Sequence, residues 1–464
     1  MRHLLHLSNT TNLFRGPGLF EQFHIARSEL GLDGSVAVVA QYSGCASLNK
    51  PLVYATLARV IPRLGSLGMQ VNAEGRTPVF VRLPSVPLPD VVTLDTTARP
   101  LESVLSILLA RSIPYGTQLP LWRLVVLPDN KIIFAYNHAI GDGQSGLAFH
   151  RVFLTALKES PYPPQDASDV VVVSPNTTIE PPVESLTDTT VSWSTFFRML
   201  LDTLLPASFT AGASAWTMNP VTEEPTLNTN VRVWEIPAPS AESFLELCRR
   251  HQTSLTGALH TIAVLVWSRL GVLAEPSTKY KSVSCEVPVS LRKYTRSTPE
   301  VMGDFISGYS SFTPFIRRPP GGHPLESFPW DAASSFTSSL HASVGTSREL
   351  IGTLRYLVRF GAMKGFFTGM LGKKRSRTME LSNLGGFKPA SSPQGVEDLW
   401  TITDAYFGQS NPVCGAAMKI NVVGCPSGAI NVVFTWGEGA IGAALADAFV
   451  TGMKSQFFPL IAPP

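Results

Sequence analysis

A mixed α/β fold, with sheets flanked by helices in two layers joined by a long linker, is what this sequence predicts. Three observations lead there. A strand–turn–helix pattern occupies the centre of the chain near 132–158. Apolar strand patterns and amphipathic helix patterns mix on both sides of it without a repeating period. The stretch from Ser160 to about Val191 is rich in Pro, Ser, Thr and Asp, as connections between units are. At 464 residues the chain exceeds the roughly 250–300 at which a single core stops growing. Two lobes are therefore expected, 1–160 and 231–464, with 161–230 as a crossover linker carrying an amphipathic helix.

Taken in order, 18–27 begins a short helix, 35–42 is a continuous apolar strand, and 52–61 is a helix with apolar residues at 52, 53, 57, 60 and 61. Segments 79–83 and 122–127 read as strands, the second set off from Lys131 by the turn Pro128-Asp129-Asn130. The central strand then ends in Asn137-His138-Ala139-Ile140-Gly141-Asp142-Gly143, and a helix over 144–158 comes next. Beyond the linker, 193–205 is strongly amphipathic and stopped by Pro206, which favours packing against a domain over lying on a membrane surface. Helices are predicted at 241–251, at 254–270 with Thr253 or Ser254 as cap, and near 350–371. Strands are predicted at 231–236, 280–289, 416–423 and 429–436.

Composition removes several classes of function. A hydrophobic content of 44% with 15% charged residues suits large interiors, and a net charge of +3 gives no basis for nucleic-acid binding. The longest basic run is only Lys373-Lys374-Arg375-Ser376-Arg377. The five cysteines are scattered and never in a Cys-x-x-Cys spacing, so neither a disulfide framework nor a zinc site is expected. Residues 1–8 lack the apolar region of a secretory signal, and no stretch reaches the roughly 18 apolar residues of a membrane span. An intracellular protein is expected, with the sequons at Asn9 and Asn176 unmodified.

Four chemistries compete for the residues around His138. Gly141-Asp142-Gly143-Gln144-Ser145-Gly146 formally matches a dinucleotide-binding turn, but Asp166, the acidic residue about 20 positions on, sits among prolines rather than at a strand end. Gly143-Gln144-Ser145-Gly146 misses the spacing of a serine-hydrolase elbow by one residue. A metal site wants more partners at ligand spacing, and His150, inside the helix, reads as structural. A general base fits better. At a strand end beside small Ala139 and Gly141, His138 is expected to take a proton near neutral pH, because an unperturbed imidazole titrates near ~6.5. Gly141 and Gly143 are expected to allow unusual backbone angles, and Asp142 to fix the turn by an ion pair.

His138-Ala139-Ile140-Gly141-Asp142-Gly143 resembles the His-x-x-x-Asp-Gly signature of the CoA-dependent acyltransferases, which include chloramphenicol acetyltransferases, plant BAHD enzymes and condensation domains. Further segments resemble the fungal alcohol acetyltransferase branch: Leu19-Phe20-Glu21 with Ala26-Arg27, Pro120-Leu121-Trp122-Arg123-Leu124, Pro288-Val289-Ser290-Leu291-Arg292, and Ser382-Asn383-Leu384-Gly385. The resemblance implies two domains like chloramphenicol acetyltransferase meeting at a central tunnel. It implies His138 as the base that deprotonates a hydroxyl, less often an amine, as it attacks an acyl-CoA thioester. Asp142 would be structural and paired with Arg292.

Ser382, Asn383 and Gln409 are candidate donors to the thioester oxygen. Trp436 stands near a plant-type motif whose preceding residues differ here. Lys373, Lys374, Arg375 and Arg377 are candidates for the CoA phosphates. The expected protein is a monomer that binds no resident cofactor or metal and uses acyl-CoA as co-substrate with a small-molecule alcohol. It would be cytoplasmic, with room for peripheral contact with endoplasmic reticulum or lipid droplets. Two alternatives stay open: a condensation-type enzyme using a carrier-protein thioester or cyclising its substrate, and a non-catalytic small-molecule binder.

Overall fold

The computed structural model describes residues 13–75, 77–162, 166–204, 212–274, 279–316, 327–389, 399–411 and 413–461. The sequon at Asn9 and the eight N-terminal residues lie outside them. Two large sheets dominate the mixed α/β architecture. The first runs Trp400–Gln409, Ser35–Gly44, Lys131–Asn137, Trp122–Val126, Val92–Leu94, antiparallel except for its last pair. The second runs Thr229–Ile236, Ile430–Gly437, Ala416–Gly424, Arg377–Gly386, Ser282–Ser290, Ile306–Pro314, with parallel pairing on both sides of Arg377–Gly386.

From Ile132 to Tyr136 the central strand is apolar because both its faces are covered. Ile132, Phe134 and Tyr136 enter one core with Val38, Ala40 and Tyr42, while Ile133 and Ala135 enter another with Ala37 and Val39. The two-residue period of a strand divides one hydrophobic run between two interiors. On the first face the helix Gly143–Glu159 buries Leu147, Phe149 and Phe153 against that strand, with the rings of Phe134 and Phe149 stacked at 3.9 Å. His150 lies within that core, its ring nitrogens 2.9 Å from the Tyr42 hydroxyl and 3.1 Å from Val38 O.

Several sequence expectations need correction. The linker stretch contains a strand, Val170–Val172, paired with Ser85–Pro87, so its valine run forms a ladder rather than a free crossover. The helix expected near 350–371 is Trp330–Arg359, begun well before the periodicity was legible and ended before Gly361 at φ +63°, with a separate Met363–Thr368 after it. Ile306–Pro314, Trp400–Gln409 and the final helix Ala443–Ile461 were not anticipated. Trp400–Gln409 matters most, because it comes after strands of the second sheet in the chain yet forms the edge of the first. The amphipathic helix Trp193–Leu204 packs on Trp330–Arg359 through Phe196 and Tyr356, whose rings lie 5.8 Å apart, and leaves Trp193, Phe197 and Leu201 exposed. No helix among the described residues is long and apolar enough to cross a membrane.

Candidate active site

The chain leaves the central strand at Asn137, whose side chain pins the start of the motif turn. Its Oδ1 accepts from the backbone of Ala139 and from the Tyr115 hydroxyl, both at 2.9 Å, and its Nδ2 donates to Ser28 Oγ at 3.0 Å. A single tight turn, His138–Ile140, comes next. Asp142 then caps the helix Gly143–Glu159, its Oδ1 accepting from Ser145 N and Ser145 Oγ at 2.9 Å each. The same oxygen meets Arg292 Nη2 at 2.8 Å, and Oδ2 accepts from Phe305 N at 3.2 Å.

Asp142 is fully buried, and every part of its carboxylate is engaged, so its place is inside the scaffold rather than toward a substrate. Arg292 binds Val301 O as well, and its guanidinium lies 5.0 Å over the Phe305 ring. This ion pair ties the turn after the first sheet to the end of Ser282–Ser290 in the second.

The glycines act through space rather than through backbone angle. Gly141 has φ 169°, ordinary extended backbone, and Gly143 is not among the positive-φ residues. A Cβ at Gly141 would stand 2.5 Å from Ser145 Cβ, and one at Gly143 2.6 Å from Leu384 Cδ2. The motif is glycine-bearing because its neighbours come that close.

His138 is half-buried and lines a cavity of about 370 Å³. Its Nδ1 is enclosed and makes no hydrogen bond, whereas Nε2 is not among the enclosed atoms and so faces the cavity. The cavity reaches the surface, since Leu350 and Phe366 in its wall are 40% and 41% exposed. Phe20, Phe23, His24 and Arg27 also line it, at the 3–4–7 spacing of one face of the helix Leu19–Glu29.

His24 is the residue that sequence reasoning missed. Its ring stacks on that of His138, centroids 3.7 Å apart and planes within 5°. Its Nε2 is 3.4 Å from Asp304 Oδ2 and its Nδ1 3.8 Å from Asp33 Oδ2, and Asp33 in turn pairs with Arg27 at 3.2 Å. Burial pulls the His24 pKa down to about 4, and burial first, then the neighbouring His24, pulls that of His138 well below its usual value. Both rings are therefore neutral at neutral pH. The signal was present in the 20/23/24/27 spacing, but nothing linear linked that helix to residue 138.

Among the candidate oxyanion donors, Gln409 does line the cavity, but both its N–H bonds are taken, by Glu380 Oε1 at 3.1 Å and Asn421 Oδ1 at 2.9 Å. Lys419 is the cation beside it, 5% exposed and donating to Gln409 Oε1 at 3.1 Å, with its pKa lowered by burial. Ser382 is buried two residues beyond Glu380 on the same strand face and does not line the cavity. Asn383 shapes its own turn, bonding Thr256 Oγ1 at 3.1 Å and Gly385 N at 2.8 Å. Trp436 is a core residue beneath the Arg232 guanidinium, outside this cavity.

The basic turn stands at the rim, since Ser376 lines the cavity. Arg375 is withdrawn from solvent and bound to the carbonyls of Val413 and Asn219, so it does not present its charge to a phosphate. Lys374 holds Gly212 O and Ala213 O, and Arg377 holds Ser310 Oγ and lies 3.4 Å from Glu286. Lys373 is exposed.

The profile of the alcohol acetyltransferase family matches residues 99–451. The chain is 26% identical over 460 residues to crmB of Aspergillus fumigatus, named a probable alcohol acetyltransferase, covering 91% of this chain and 95% of that one. It is 23% identical over 483 residues to FCK4 of Fusarium pseudograminearum, of the same printed name, covering 94% and 93%. In fold it is similar to TRI3 trichothecene 15-O-acetyltransferase of Fusarium sporotrichioides, with TM-score 0.71, 9% identity and coverage of 97% and 95%. It is also similar to the first condensation domain of the CDA synthetase, with TM-score 0.61, 11% identity and coverage of 98% of both chains.

Proposed function

This chain belongs to the alcohol acetyltransferase family, and from that premise we propose that it carries an acetyl group from acetyl-CoA to the hydroxyl of a small, largely apolar alcohol, with His138 as general base. The supporting observation is the His138 Nε2 facing a cavity open to the surface, on a turn held by Asn137, Asp142 and Arg292.

In this reading the groups present act as follows. The acceptor O–H approaches Nε2, gives up its proton to the neutral imidazole, and its oxygen bonds the thioester carbonyl carbon. As the tetrahedral adduct collapses, the carbon–sulfur bond breaks and the imidazolium returns the proton to the departing thiolate. In this reading transfer is direct, without an acyl-enzyme, since the Ser307 hydroxyl and Cys414 thiol that also line the cavity are bonded to the carbonyls of Ser347 and Phe367. The buried Lys419 ammonium supplies positive charge on the cavity wall, where negative charge develops on the carbonyl oxygen. Lys373, beside the Ser376 rim, is the basic-turn residue left to meet CoA phosphates.

Both kinds of surface line the cavity: Phe20, Phe23, Phe366, Phe367 and Met370 are apolar, and Arg27, Asp33, Glu286, Glu380 and Lys419 are charged. An acceptor with a hydrocarbon body and one polar end fits such a lining. The exposed stripe Trp193, Phe197 and Leu201 supports peripheral contact with a membrane as a source of such acceptors. The test is incubation of the pure chain with acetyl-CoA and a panel of alcohols, reading free CoA and the ester by mass, with a carrier-bound acyl thioester in parallel. Ester from acetyl-CoA is expected. Ester from the carrier-bound donor alone would replace this reading with a condensation-type one, and no product from either would favour a binder.

A further inference from the structure

Glu286 on Ser282–Ser290, Glu380 on Arg377–Gly386 and Lys419 on Ala416–Gly424 stand directly opposite one another on three neighbouring strands of the second sheet. All three line the cavity that holds His138. Side-chain exposure falls along the row, from 43% at Glu286 through 16% at Glu380 to 6% at Lys419, so the row descends from the open side of the cavity into the interior. Two carboxylates side by side across a ladder are a costly arrangement for a sheet. Arg377, 3.4 Å from Glu286, and Lys419, 3.8 Å from Glu380, offset their charge.

The carboxylates of this wall differ in what remains free. Asp33 accepts from Ser410 Oγ at 3.2 Å, and Glu380 from Gln409 Nε2 at 3.1 Å. Arg377 donates to Ser310 Oγ and Ser376 O, and its Nε makes no hydrogen bond, so its contact with Glu286 is one of charge alone. The Glu286 carboxylate therefore accepts no hydrogen bond among the described residues, and neither of its oxygens is among the enclosed atoms, so both are open to the cavity. Gly308 on the neighbouring strand, where a Cβ would stand 2.9 Å from Glu286 Oε1, leaves the carboxylate its place.

A few free acceptors in a largely apolar wall orient a ligand through the donors that the ligand carries. Burial raises the pKa of Glu286, and a hydroxyl suits the side chain in either protonation state because it both donates and accepts. An ammonium group suits it less, since Arg377 and Lys419 already balance the two glutamates.

We propose that Glu286 is a specificity-determining residue that holds a second hydroxyl of the acceptor, so that the preferred substrates are diols whose other hydroxyl is the one acetylated at His138. This rests on the acetyl-transfer reading above and names its acceptor class.

The test measures kcat/KM of the full chain with acetyl-CoA and two matched sets of acceptors, straight-chain monoalcohols and diols of equal carbon number with increasing separation of the hydroxyls. Diols of a favoured separation should exceed their monoalcohols by roughly 10–100-fold, the worth of a hydrogen bond to a charged group. Glu286→Gln should shrink that preference and Glu286→Leu abolish it, through KM for the diol rather than KM for acetyl-CoA, with folding checked by circular dichroism. A wild-type chain that uses diols and monoalcohols alike, or a folded Glu286→Leu variant that keeps the preference, overturns the inference and leaves acetyl transfer standing. A rise in KM for acetyl-CoA with every acceptor would assign Glu286 to the donor and overturn it as well. Absence of transfer to any alcohol would overturn the acetyl-transfer reading itself, and this inference with it.

Discussion

The imidazole of His24 lies flat against that of His138, 3.7 Å between centroids, so the ring assigned as base is held from the side by a second ring as well as from its backbone. The partner comes from a helix more than a hundred residues earlier. It limits rotation of the His138 ring.

His24→Ala removes that wall and should lower kcat by up to roughly 10²-fold, the scale of a misplaced reacting group, with KM for acetyl-CoA little changed. His24→Phe should recover part of the loss, since it restores the flat contact. Steady-state kinetics of the two variants decide it. Equal loss in both would mean that the nitrogens of His24, rather than its surface, matter.

Arg292→Met leaves the Asp142 carboxylate buried without its cation and should cost about 3–5 kcal/mol. Denaturant unfolding measures this. A variant as stable as wild type would show that the other donors to Asp142, from Ser145 and Phe305, suffice.

Gly146→Ala inverts a familiar sign. In an open helix the change would stabilise by about 1 kcal/mol, but here the added Cβ would stand 2.2 Å from Val38 Cγ2 in the central sheet. A loss of about 1–3 kcal/mol is expected from the overpacking, read from the same unfolding curves. A gain in stability would contradict the packing described.

Acid should act on both stability and rate. His150 and His24 have pKa values lowered to about 4 and His260 to about 3, each chiefly by burial. The unfolded chain therefore binds more protons than the folded one below pH 6.5, and the stability these rings contribute, present above that value, is lost as pH falls toward 3–4. For His150 this amounts to about 3 kcal/mol. Asp304 and Glu286, both raised chiefly by burial, run the other way. Because His138 is also lowered, kcat/KM should stay level below pH 6.5 and fall only in more acid solution, for as long as the fold persists. An acid limb centred at or above 6.5 would contradict a neutral base with a lowered pKa.

Much of the fold and the motif was readable from the chain because local rules and packing agree there. The apolar run before His138 and the helix after it have local signatures, while the pairing of Asp142 with Arg292 was legible only through the family resemblance. What could not be read depends on contacts between distant segments. Trp400–Gln409 joins the first sheet from far along the chain, His24 and Asp304 meet His138 only after folding, and Lys419 reads as any strand lysine until its neighbours close over it. The basic turn misled for the opposite reason. Four cations in sequence look like one anion site, but backbone carbonyls take Arg375 and Lys374 before a ligand could.

The most direct measurement is turnover of His138→Gln, a near-isosteric change that removes the basic nitrogen, with acetyl-CoA and the accepted alcohol. We expect a loss of roughly 10²–10⁴-fold in kcat with an unchanged melting temperature and unchanged acetyl-CoA binding. A folded variant that still transfers acetyl groups at close to the wild-type rate would contradict the account.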